Sequence, residues 1–281
     1  FAVAAKAGAF NVGVEGEVFL GGITAAYIGI NWTFLPKPAL YVACFVGAMV
    51  VAAAWALIPA VLRAYYNVNE VCTTILMNTV ALYITSYLVS GPMSAGTANA
   101  QSLPVTVRLY QFMKPSSVNV GIFIAAITVI VIIFMLQKSS WGYKIRTVGL
   151  NPTHADYVGI DSKKVFVGAM MLSGMLGGMA GCIEVLGVHG YFLNNFATGL
   201  GSNGMLAALI VKNNMVSTPF MAFFLAVLKS GAMGMQQSTG VPKSLVDTIT
   251  AVFIIIATME TAFQFTKKRK KKTEEKKEDK A

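Results

Sequence analysis

The sequence predicts an all-α fold: a polytopic transmembrane helical bundle of about eight spans, with two Gly-broken segments in an inverted-repeat-like arrangement. Three observations predict it. Of 281 residues, 56% are hydrophobic and 12% charged, against roughly a quarter charged in soluble domains. Apolar runs of the ~20 residues a bilayer core requires recur along the chain. Basic residues crowd into a C-terminal run and one interior segment, which sets a sidedness.

The apolar runs lie near 9–30, 40–62, 70–90, 118–136, 165–187, 215–235 and 244–266, with a shorter, Gly-interrupted one at 197–211. They make one membrane domain over 1–266. The remainder, 267–281, holds nine of the 22 basic residues and has no apolar face. It reads as a disordered cytoplasmic tail beside anionic lipid headgroups. Because half of the net charge of +10 sits there and the rest of the chain is only mildly basic, a nucleic-acid partner is not expected. The chain opens on Phe1 without a charged leader, so no signal peptide is read, and one or more helices are expected to precede it.

With the tail inside, counting back through eight spans puts Arg63, Lys212 and the segment 137–164 inside. That segment carries Lys138, Lys144, Arg146, Lys163 and Lys164. The outer connections keep only Lys37, Arg108, Lys114 and Lys243. The bias agrees with the count and favours a crossing at 197–211. The expected location is a cell membrane, multi-pass, with a cytoplasmic C-terminus. Two connections exceed what a hairpin needs, 91–117 outside and 137–164 inside, and long loops are often functional.

No catalytic constellation is present in the sequence. His154 and His189 fall on opposite sides, and Cys44, Cys72 and Cys182 fit neither a metal site nor a disulfide framework. There is no Gly-x-x-x-x-Gly-Lys-Ser/Thr, so any ATP that drives the chain binds elsewhere.

Four segments carry information. Phe10-Asn11-Val12-Gly13-Val14-Glu15-Gly16-Glu17 places an amide and two carboxylates where lipid would make them costly. A broken helix lining a translocation path is the favoured reading, and a cytoplasmic helix cap the other. Gly199 to Gly204, GLGSNG, opens the short run in the opposite direction, as in inverted-repeat transporters. Gly174 to Gly181 holds two overlapping Gly-x-x-x-Gly spacings, a ridge that lets helix backbones approach. Trp141 to Ile160 contains Asn151-Pro152, a helix start, and Gly159, a helix stop. A short helix over 152–157 is suited to press on a cytoplasmic partner, or is a plain amphipathic connector. Lys229, Asp247 and Glu260 are lone charges that read as interfacial.

Phe10–Glu17 resembles the Asn-x-Gly-x-Glu-Gly-Gln signature of permease subunits in the ABC importers of ribose, branched-chain amino acids and nucleosides, with Glu17 where Gln is usual. Asn69 to Asn78, NEVCTTILMN, then Tyr83 to Pro92 and Gly142 to Ile160, resemble the nucleoside-type branch served by basic membrane lipoproteins. The resemblance implies a permease without an ATPase site. No cofactor is expected on this chain, with ATP-Mg on partner subunits. The implied partners are cytoplasmic ATP-binding subunits, a second permease subunit (a copy or a homologue), an extracytoplasmic substrate-binding lipoprotein and the bilayer. Nucleosides are the expected cargo, with riboflavin, a sugar or an amino acid as alternatives; an ion-coupled secondary transporter is a second class and a membrane scaffold a third. The expected path residues are Asn11, Glu15, Phe19, Asn78, Ser202 and Asn203. The expected ATPase-coupling residues are Arg146, Gly149, Asn151, Pro152, Ala155 and Gly159.

Overall fold

The computed structural model describes residues 1–112 and 117–239, with 244, 245, 248, 251 and 252. Helix α1 (Ala2–Lys6) is one turn and a half. The chain then reverses through Gly8, whose φ of +79° is left-handed, and brings the Phe10 ring edge-on to Phe1 at 5.0 Å. Helix α2 (Val14–Asn31) starts after this reversal. Next come α3 (Lys37–Tyr66), α4 (Glu70–Ser90) and α5 (Gly121–Lys138). Two short helices follow, α6 (Ser140–Leu150) and α7 (Pro152–Tyr157). Helix α8 (Ser162–Ile183) runs on as a π-helical turn, Glu184–His189. Helices α9 (Leu200–Ile210) and α10 (Ser217–Thr239) close the described fold.

Helix starts carry the caps their sequences announce. The Asn69 side chain accepts from Val71 N–H at 2.9 Å, Ser139 from Gly142 N–H at 3.0 Å, and Asp161 from Lys164 N–H at 3.0 Å. Each satisfies a donor with no partner inside its helix. Arg63 and Glu70 pair at 3.0 Å across the α3–α4 turn.

Among the described residues, five helices are long and apolar enough to cross a membrane: Lys37–Tyr66, Glu70–Ser90, Gly121–Lys138, Ser162–His189 and Ser217–Ser238. They match five expected runs. A sixth, near 9–30, is α2, which lies at the centre with Val18, Phe19, Leu20, Ile23, Ala25 and Ala26 buried. The run at 244–266 and the tail fall largely outside the described residues, as do Asp247 and Glu260.

At 197–211 the helix is shorter than a span. Helix α9 has 11 residues, about 16 Å at 1.5 Å per residue, half of a ~30 Å bilayer core. The preceding stretch is non-helical because its backbone bonds elsewhere: Phe192 N–H to the Ser102 hydroxyl at 2.9 Å and Asn194 N–H to the Ala100 carbonyl at 2.9 Å.

The bundle is held together by small residues. Against α3, a Cβ on Gly178 would overlap the Ala48 carbonyl, and one on Gly174 would lie 2.6 Å from the Ala56 Cβ. Against α2, a Cβ on Gly181 would overlap the Val18 carbonyl. The glycine ridge is therefore a three-helix packing seam, where backbones meet at distances that any side chain would forbid.

Neither long connection is a plain loop. The inner one is mostly α6 and α7, a helix more than the single short one its sequence predicts. Helix α6 is half polar and too short for a clear apolar period, but Ile145 and Val148 are buried with Val3, Ala7 and Leu136. In the outer one, residues 103–110 run extended over the bundle with Val105, Val107 and Leu109 turned inward. Its N–H groups go to carbonyls at the wide turn: Leu109 to Leu186 at 2.9 Å and Val105 to Gly190 at 2.9 Å.

Candidate functional site

The two Gly-containing segments at 10–17 and 199–204 meet. Glu15, in the first turn of α2, accepts from the Gly199 N–H through Oε1 at 3.0 Å and from the Ser202 hydroxyl through Oε2 at 3.1 Å. Gly199 precedes α9 with φ +81°, and Gly201 leaves room for the Glu15 backbone, which a Cβ there would reach at 2.7 Å. A carboxylate on the free N–H groups of a helix start is favoured by both hydrogen bonding and the helix dipole.

Asn78 binds the same segment from α4. Its Oδ1 accepts from Gly16 N–H at 2.8 Å and its Nδ2 donates to the Val12 carbonyl at 2.9 Å. One amide thus satisfies both polarities of an irregular backbone. A Cβ on Gly16 would press on Asn78, which accounts for that glycine.

Asn11 turns away from Glu15 into a separate buried node. Its Nδ2 donates to Glu17 Oε1 at 2.8 Å and to Ser173 Oγ of α8 at 3.0 Å, and its Oδ1 accepts from Gly13 N–H at 2.9 Å. Glu17 Oε2 is buried against Gly177 and has no hydrogen-bond partner among the described residues. A buried carboxylate with one oxygen unmet carries a large desolvation cost. Glu17 and Ser173 are members of this node that sequence reading did not select.

Phe19 is buried and meets Phe196 edge-on at 5.7 Å, and Phe196 meets Phe192 at 5.1 Å and His189 at 5.9 Å. The cluster fixes the stretch leading to Gly199 against α2. Ser86 of α4 fixes its other side, donating to Asn194 Oδ1 at 2.8 Å. Asn203 contributes through its backbone, whose N–H reaches the Gly199 carbonyl at 3.0 Å.

So Glu15 and Ser202 touch, Asn78 and Asn203 brace their backbones, Phe19 packs nearby, and Asn11 belongs to the second node. A cavity of about 500 Å³ between α2, α5, α8, α9 and α10 is lined almost wholly by hydrocarbon, Val14, Val18, Leu176 and Met205 among it. That lining offers few partners for a polar solute. Among the described residues, no group of three or more His, Cys, Asp or Glu side chains gathers to hold a metal ion.

The inner helical pair has its own geometry. Asn151 caps α7 by accepting from His154 N–H at 3.0 Å, Pro152 takes its first position, and Gly159 follows with φ +81°. Ala155 is buried, and a Cβ on Gly149 would overlap the Lys6 carbonyl. Both residues shape the pair from within. Its exposed surface is carried instead by Leu150, 88% exposed, and Tyr157, 86% exposed, beside the exposed Arg146, whose Nη1 donates to the Gln137 carbonyl at 3.4 Å.

Residues 1–258 match the family described as "Branched-chain amino acid transport system / permease component". The chain is 32% identical over 281 residues to a guanosine ABC transporter permease protein of Bacillus subtilis, covering 96% of this chain and 79% of that one. It is 33% identical over 263 residues to a glucose ABC transporter permease protein of Haloferax volcanii, covering 89% and 69%. It is 29% identical over 268 residues to a nucleoside ABC transporter permease protein of Lactococcus lactis, covering 90% and 73%. No solved structure matches the chain.

Proposed function

The chain belongs to the branched-chain amino acid transport system permease family, and from that premise we propose that it is the membrane permease subunit of an ATP-driven importer of nucleosides. The observation that carries the proposal is the family match over residues 1–258, joined to similarity with guanosine and nucleoside permeases along most of the chain. A glucose permease stands at comparable identity, so a sugar is the second reading.

In this reading the chain crosses the membrane about eight times, with α2 and the 190–210 stretch as the broken pair and the C-terminus inside. Its fixed groups, Glu15, Asn78, Ser202 and Asn203, hold the meeting point of the broken segments, and Asn11 and Phe19 buttress it. The pair α6–α7 meets cytoplasmic ATP-binding subunits, which hold ATP-Mg, and a second permease and an extracytoplasmic lipoprotein complete the assembly. Burial of Val3 and Ala7 with Ile145 and Val148 supports a mechanical link, because a push on α6 is carried directly to the chain entering α2.

The test is uptake into sealed vesicles with the ATPase, the second permease and the receptor reconstituted together. ATP-dependent guanosine accumulation is the expected result. Uptake by this chain alone, driven by an ion gradient, would refute the importer reading, and glucose uptake in place of guanosine would select the second one.

A further inference from the structure

Helices α3, α4 and α5 each expose one long face, and the faces differ in chemistry. On α3 the exposed residues from Val42 to Ile58 are apolar, Val46 and Val50 among them. On α5 they are again hydrocarbon from Ile122 to Phe134. Such faces suit lipid. Helix α4 exposes Ile75, Leu76, Val80 and Ile84, but also Thr79, Tyr83 and Tyr87, the tyrosines at 70% and 72%. At about 100° per residue, Thr79, Tyr83, Ser86, Tyr87 and Ser90 fall within an arc of about 100°, which the exposed Leu76 shares one turn before Thr79. Ala81, Thr85 and Val89, on the far side, are buried.

The polar arc is the flank nearest the broken stretch, because Ser86 bonds Asn194 at 2.8 Å. From Asn194 that stretch continues through the exposed Asn195 and Thr198 to Gly199 and exposed Ser202, where Glu15 sits. Hydroxyls, phenols and amides thus follow one side of the molecule from the outer end of α4 to the meeting point. Hydrocarbon would leave the exposed Tyr83 and Tyr87 hydroxyls without partners over the depth of a membrane, whereas water and a polar solute would not.

We propose that this flank of α4, with Asn194 to Ser202, lines the water-filled side of the path and takes an uncharged, planar, hydrogen-bonding cargo. The inference rests on the importer reading above and adds the surface and chemistry of its cargo site. The flank carries no formal charge, and the one carboxylate at its end, Glu15, already accepts from Gly199 and Ser202. A zwitterionic amino acid or a phosphorylated sugar would lose water from its charges with no opposite charge to meet them. A neutral ring system meets donors, acceptors and two phenol faces, and aromatic stacking is tolerant of which base is stacked.

The experiment uses the reconstituted complex with Cys72→Ala and single changes T79C, Y83C and S86C on the flank, against V46C and I127C. The probe is 2-sulfonatoethyl methanethiosulfonate, a charged thiol reagent. The flank thiols are expected to react at least ~10-fold faster than V46C and I127C, since reaction requires an ionised thiol in water. Guanosine is expected to slow them and leucine is not. In uptake, Y83F is expected to keep the apparent affinity, and Y83A to weaken it ~10-fold, the effect of one lost stacking ring. Flank thiols no faster than V46C would overturn the proposal, whether lipid or a helix of the second permease covers them. Protection by leucine, or by neither solute, would overturn the cargo class. ATP-dependent uptake in the same vesicles tests the importer reading separately, because labelling without solute reports the wetness of the flank whatever drives transport.

Discussion

The Glu15 carboxylate and the Gly199 backbone N–H, 184 residues apart in sequence, are joined by a hydrogen bond of 3.0 Å. It ties the first turn of α2 to the residue that caps α9, and Ser202 in the first turn of α9 adds a second bond to the same carboxylate.

Removing that carboxylate should uncouple the two segments. Hydrogen bonds to a charged group contribute about 1.5–3 kcal/mol and neutral ones about 1 kcal/mol. Glu15→Ala is therefore expected to abolish most uptake while the complex still assembles, Glu15→Gln to reduce it in part, and Ser202→Ala least. A double-mutant cycle of Glu15→Gln with Ser202→Ala, read by thermal unfolding in detergent, should give a non-additive pair. Additive losses would mean the contact is incidental.

The glycine seam makes a sharper demand on stability. Gly181→Ala and Gly178→Ala push a methyl group into backbone, at Val18 and Ala48. Overpacking costs about 1–3 kcal/mol where side chains can yield, and here backbone must yield instead. Both variants should lose most folded protein on extraction. Gly204→Ala, with nothing within 4 Å of the added carbon, should match the parent chain.

The Asn11 node separates charge from hydrogen bonding. Glu17→Gln keeps an acceptor for Asn11 and removes a buried charge, so Tm should hold or rise. Asn11→Leu strips Glu17 of its donor and is expected to cost about 1–3 kcal/mol. Equal falls in Tm for the two variants would contradict this account.

At the inner pair, Leu150→Ala and Tyr157→Ala are expected to weaken capture of the ATPase subunits with Tm unchanged. Ala155→Trp and Gly149→Val should lower Tm first, because one fills a buried site and the other meets the Lys6 carbonyl. Co-purification measured beside melting distinguishes the two pairs.

The cap of α8 gives a pH dependence. The Lys164 backbone N–H, helped by the Lys164 ammonium, holds Asp161 below the usual aspartate range. A depressed folded value means the cap contributes fully above the unfolded value, about 3.9, and is lost as pH falls through the folded one. Asp161→Ser, which can cap without charge, should flatten that part of the melting profile below about pH 4.

Much of this architecture was legible in the chain, for identifiable reasons. Long runs of valine, isoleucine and phenylalanine announce α3 and α5 because a bilayer demands length and hydrocarbon together. Asn151-Pro152 and Gly159 bound α7 correctly because caps are local chemistry. Helix α6 is harder to read because its period is short and half polar, and only packing against α1, α5 and α8 makes Ile145 a core residue. Glu15 and Ser202 stand out by polarity in an apolar setting, and Asn78 by the resemblance of NEVCTTILMN to nucleoside-type permeases. That rule could not separate Asn11 from them, since which node an amide joins is decided by Ser173, far along the chain. Tyr83 and Tyr87 were hidden for the opposite reason: tyrosine passes as apolar in a run, and only the exposed face reveals its hydroxyl.

The wide turn Glu184–His189 has a consequence for register. It holds more residues per turn than α8, and the strand-like outer segment secures its freed carbonyls. Rewinding it to regular helix with every residue kept would rotate everything beyond by about 100°. Phe192 would leave Ser102, Asn194 would leave Ser86, and Gly199 would no longer arrive at Glu15. The surplus residue thus works as a phase-setter, timing the angle at which the chain leaves one helix so that it meets another 10 residues later.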